Sequence, residues 1–302
     1  MHRDFRSINV MAVSLLFHIM NFNGDDICED WLVVVTCISQ LSQSISTGTS
    51  EERNIASNLS RLGKYSTTLD TKSLKHLVSS LIQLSSSSEV RVNGGNSSMF
   101  GSLLFHSTRK SLQSTKLSTS PNDYESIPFA LVALLVVSLE NSERFDYFAD
   151  DVMYHFSDQA SASESDVVRT FSLDVISHMI TSTLVSESSK PRKALLEPLC
   201  RSIQTTHNVD AAGLGLTKLK QIIEDGYNLS AAWSTIISAL TAIAECQPNS
   251  GNGDWSGCCT IAFGCLKLIV DGKYRLDVDT SSFVTNLKFL IPHLSSTIRF
   301  SE

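Results

Sequence analysis

Apolar residues recur along this chain with the period of an α-helix, segment after segment, and that rhythm constrains the fold more than any other feature. Leu74, Leu77, Val78, Leu81 and Ile82 fall at i, i+3, i+4, i+7 and i+8, one stripe along a helix. Leu131, Leu134, Leu135 and Leu139 follow the same figure. So do Trp233, Ile236, Ile237, Leu240 and Ala244, and again Trp255, Cys259, Ala262, Leu266 and Ile269. Each stripe is wide enough to demand burial against other helices. Two-residue alternation bounded by hairpin turns is hard to find. The β-branched run Val33 to Val35 lies inside residues 31–45, which read as a helix.

Helix ends agree with the stripes. Asp70 and Thr71 precede the Leu74 helix, where a side-chain oxygen can accept first-turn N–H groups. Asp225-Gly226 closes a helix over 216–224 with a glycine suited to a left-handed C-terminal position, and Ser230 is placed to cap the next. Pro191 and Pro198 fall near the start of another helical pattern, Pro198 marking a kink or a helix start.

The pattern gives about a dozen helices of about 12 to 20 residues with short connections, and no βαβ rhythm. An all-α, HEAT/armadillo-like α-solenoid of stacked antiparallel helix pairs is the expectation. No strict repeat period stands out, as in degenerate arrays. The expected organisation is an N-terminal helical part over 1–84, Ser/Asn/Gly-rich loops with a short helix over 85–126, a main solenoid over 127–271 and a divergent tail with a further helix over 272–302. Ser111, after Arg109 and Lys110, reads as part of a solvated loop.

Composition limits the function classes. Apolar residues make up 42% and charged residues 18%, which supports a real core and excludes wholesale disorder. The formal charge is −7 and no basic stripe emerges, so nucleic-acid binding is not expected. The same balance disfavours direct adhesion to anionic lipid. Seven cysteines at 28, 37, 200, 246, 258, 259 and 265 are odd in number and irregular in spacing, which fits reduced, buried thiols in a cytoplasmic protein. The sequons at Asn58, Asn96 and Asn228 carry no weight there. The densest apolar run, 127–139, is 13 residues, too short for the roughly 20 that span a membrane. Met1 to Phe22 reads as a packed helix rather than a signal peptide.

Catalytic, cofactor and metal sites are all expected to be absent. The chain has no G-x-S-x-G elbow, no H-E-x-x-H and no phosphate-binding G-x-x-x-x-G-K-[ST]. Gly213-Leu214-Gly215 lacks the preceding strand and third glycine of a nucleotide turn. The eight histidines are scattered, and His178, beside Val175 and Met179, reads as a tolerated helix residue. Cys258, Cys259 and Cys265 cannot close a tetrahedral zinc site without further ligands. Trp31, Trp233 and Trp255 read as core anchors.

Several runs together resemble a known family. The run from Leu216 to Gly226 (LTKLKQIIEDG), Trp233 to Ile237 (WSTII) and Cys265 to Asp271 (CLKLIVD) are similar to a helix–glycine, tryptophan-opened helix and "LxLIVxDFL" helix of the large Arf guanine-exchange-factor superfamily. Trp31 to Val35 followed by Ser39-Gln40-Leu41 resembles that superfamily's "WxLVLxTLQHL" helix. Leu59 to Leu62, Leu69-Asp70 and Ser73 to Leu77 resemble its next helical pair, and Phe129 to Asn141 followed by Arg144-Phe145 its "LFAxAKLLExxLxNxxRI" stretch. Within the superfamily the likeness is to the Mon-two (monensin-sensitivity) family, which lacks the catalytic exchange domain.

That resemblance implies a HEAT-like solenoid without enzymatic activity or cofactor, peripheral on trans-Golgi and endosome membranes. It implies protein transport through Arf-like GTPases, Dopey-type scaffolds and lipid flippases. No functional residue carries over, because the matched motifs are apolar stripes, tryptophans and helix-ending glycines. After Asp271 the family's "FL" gives way to Gly272-Lys-Tyr-Arg, and the loops over 85–98 and 106–126 also differ. Family members are several times longer, so a fragment, splice form or truncated copy is expected, with uncovered end faces and self-association. The other reading is an unrelated HEAT/armadillo adaptor, such as a nuclear transport receptor or a protein-complex subunit.

Overall fold

A computed structural model describes residues 2–43, 61–86, 127–185, 192–227, 229, 232–245 and 255–270. Among them every regular element is helical: eleven α-helices and two short 3₁₀ turns. The α-helices are α1 (His2–Ile27), α2 (Trp31–Gln43), α3 (Leu62–Thr68), α4 (Thr71–Ser86), α5 (Phe129–Glu140), α6 (Ala149–Ala162), α7 (Asp166–Val185), α8 (Arg192–Thr205), α9 (Val209–Glu224), α10 (Trp233–Glu245) and α11 (Ser256–Val270). The all-α expectation holds. Ser111, Ser230, the three sequons, the tail over 272–302 and all of 85–126 except the last two residues of α4 lie outside the described residues.

The chain forms two compact units, Met1–His155 and Phe156–Glu302, divided within α6. In the first unit α5 is the central rod, in contact with α2, α3 and α4. Phe129 through Ser138 are all buried, so α5 is enclosed on every side. A helix that is apolar all round has to be enclosed. This is the run whose length argued against a membrane span, and no described helix is long and apolar enough to cross a membrane. Against it α4 lays Leu74, Leu77, Val78 and Leu81, all buried and four of the five residues of the stripe legible in sequence, together with Leu84, while Ile82 is half-buried. Helix α2 buries Trp31, Val35 and Ile38 along one face.

In the second unit each of the main contacts joins a helix to its successor or its next but one. Helices α7 and α8, α8 and α9, and α10 and α11 touch as neighbours; α7 and α9, α8 and α10, and α9 and α11 touch across one intervening helix. Helices α7, α9 and α11 thus meet in turn, and α8 meets α10 in the same way. The Trp233 and Trp255 stripes fill the space between them: Trp233, Ile236, Ile237 and Leu240 are buried, as are Trp255, Cys259, Ala262, Leu266 and Ile269.

Helix ends match their chemistry. Ser73 N–H donates to Asp70 Oδ1 at 2.7 Å, and this bond holds the Asp70 carboxyl below the ordinary carboxylate range. Gly226 takes φ +79°, and its N–H donates to the Ile223 carbonyl at 3.2 Å, a left-handed ending that glycine adopts without steric cost. Helix α9 starts seven residues before the expected 216, because Asn208 Oδ1 accepts the Ala211 N–H at 2.8 Å and caps it at Val209. The Gly213-Leu214-Gly215 triplet is thereby helical. A Cβ on Gly215 would stand 2.8 Å from Ile203 Cγ1, so the absent side chain is what lets α9 approach α8. Pro198 neither starts nor ends α8 but lies inside it, with its carbonyl accepting from Ser157 Oγ at 2.7 Å.

Candidate functional site

Four groups of side chains have residue types capable of chemistry. Ser85 and His155 come closest to a nucleophile and base, with Oγ 2.7 Å from Nε2 and both residues buried. The Ser85 hydroxyl also donates to the Ile82 carbonyl at 2.9 Å. A hydroxyl has one proton, so both contacts are met when Nε2–H donates to Oγ. In that arrangement His155 is a donor rather than a base, and the pair ties α4 to α6.

Four of the cysteines are packing residues, while Cys28 and Cys37 are only partly buried. Cys200, Cys258, Cys259 and Cys265 are buried, and the Cys258 thiol donates to the Val209 carbonyl at 3.4 Å. Burial pushes the Cys265 thiol up to about 12, against the lowering influence of Lys220, and raises Cys200 as well. Reactivity needs thiolate, so these groups are poor nucleophiles near neutral pH. Among the described residues no three metal-ligating side chains converge.

Asn141 and Arg144 form a network that sequence reasoning passed over. Asn141 Nδ2 donates to Ser66 Oγ at 2.6 Å and to the Val137 carbonyl at 2.8 Å, and its Oδ1 accepts from Arg144. The Arg144 guanidinium donates to the carbonyls of Leu69 at 2.6 Å, Ser66 at 3.0 Å and Thr67 at 3.2 Å. Those are the carbonyls at the C-terminal end of α3, where orphan acceptors and the helix dipole favour a cation. The signal was present as N-x-x-R immediately after α5, inside a stretch quoted for the family resemblance. It marks a joint that fixes α3 to α5.

The second unit has a different joint. Lys218 Nζ of α9 lies 2.6 Å from Asp174 Oδ1 of α7, with the aspartate side chain wholly enclosed. An enclosed carboxylate requires a charged or donating partner, so the pair sets how these two helices face each other. His178, on the same helix, is partly buried, and that burial holds its pKa below the ordinary histidine value.

Interior chemistry is thus spent on joining helices, and the remaining candidate is on the surface. Met11, Leu15, Ile19 and Phe22 of α1 are exposed, spaced 4, 4 and 3 residues apart along one face. The opposite face of the same helix buries Phe17, Met20 and Gly24. At its C-terminal end Asp25, Asp26, Glu29 and Asp30 are exposed or nearly so. Asp25 Oδ1 accepts the Asp70 N–H at 2.8 Å and the Asp25 carbonyl accepts from Ser73 Oγ at 3.2 Å, which anchors this end of α1 on α4. Compared with known proteins, the chain matches no protein-family model and no curated protein.

Proposed function

We propose that this chain is a non-enzymatic scaffold segment that works through protein contacts on stacked helices, in vesicle-mediated transport at Golgi and endosome membranes. The observation that carries the scaffold part is the contact order of α7 to α11, in which each helix meets its successor or its next but one. Stacking of that kind produces a continuous core flanked by long helix faces, the surfaces solenoid proteins offer to partners. The cellular setting rests on the collinear motifs between residues 31 and 271, with Arf-like GTPases, Dopey-type scaffolds and a lipid flippase as the partner classes. Tagging the full-length gene product tests it: perinuclear Golgi puncta support the reading, and a nuclear-rim or diffuse nuclear signal overturns it in favour of a transport-receptor adaptor.

A further inference from the structure

We draw no further inference here: the strongest candidate, the exposed apolar face of α1 formed by Met11, Leu15, Ile19 and Phe22, carries none because nothing in the structure shows what covers it.

Discussion

Helices α2 and α10 are each thirteen residues long and each opens on a tryptophan, one in either compact unit. Trp31 and Trp233 are equally hidden, at 1% and 2% exposure. Their surroundings are not equal. Helix α10 is covered by α8 and α11, and it has no large apolar side chain in solvent among its described residues. Helix α2 leaves Val33 outside, and its neighbour α1 leaves four more. Helix α2 nonetheless packs against three helices, α1, α4 and α5, so its bare Val33 reflects which face those neighbours leave open. The apolar content of a helix sets its demand for burial, and where its neighbours lie around it, rather than how many there are, decides how much of that demand is met.

The joints differ in the same way. In the first unit a guanidinium spreads its charge over backbone carbonyls at a helix end, and in the second a carboxylate and an ammonium close on each other between two helices. Backbone carbonyls are fixed by the helix and remain wherever the side chain goes. A buried ion pair depends on both members, so losing one strands the other.

A series of variants probes this contrast, from the largest expected effect to the smallest. Trp233→Ala and Trp31→Ala are each expected to cost about 3 to 5 kcal/mol, read from thermal or denaturant melts. Equal burial predicts equal losses, and a much smaller loss for Trp31 would show that the neighbours of α2 yield around the gap. Asp174→Ala is expected to cost about 3 kcal/mol, since it leaves Lys218 facing an enclosed site, with most of the loss recovered in Asp174→Leu/Lys218→Met. No recovery in the double variant would assign the loss to packing instead of charge. Arg144→Lys keeps the charge but loses the fork that reaches three carbonyls, and is expected to cost about 2 kcal/mol by the same melts.

Acid separates the units further. Burial lowers the His178 pKa, so the unfolded chain takes up this proton first as pH falls below the ordinary value of 6.5. Any stability it affects is therefore intact above that pH and declines as pH drops toward the folded-state value. Melts of His178→Gln are expected to show a shallower decline in that window, and an unchanged slope would mean the ring reaches water. In the first unit Asp70, lowered by the Ser73 N–H, loses its capping bond only as pH falls below 3.8. Last, Leu15→Gln/Phe22→Gln is expected to move stability by less than about 0.5 kcal/mol, because these side chains already face solvent. A larger loss would place them in the fold.

Much of the architecture was legible residue by residue. The stripes of α4, α10 and α11 are buried wherever their side chains are described, except that Ile82 at the edge of α4 is only half-buried. The Asp70 cap and the Gly226 ending stand where their side-chain chemistry placed them. The three tryptophans are core anchors, and the interior cysteines pack. Other features had no sequence reading. Asn141 and Arg144 look like ordinary polar residues after a helix until α3 is brought against them. Asp174 lies within an apolar stretch with no hint of Lys218, forty-four positions away. The Asn208 cap, which carries α9 back through Gly213-Leu214-Gly215, had no sequence reading either.

By itself, the sequence determined that the chain is helical, where most helices run and which face of each seeks cover, because periodicity and capping are local properties of a few turns of backbone. Tertiary structure alone decided which faces obtained cover, which polar groups became joints and where Gly215 lets two helices close in. Those outcomes depend on neighbours distant in the chain, and α1 shows it most plainly: two apolar faces, one packed and one left to solvent.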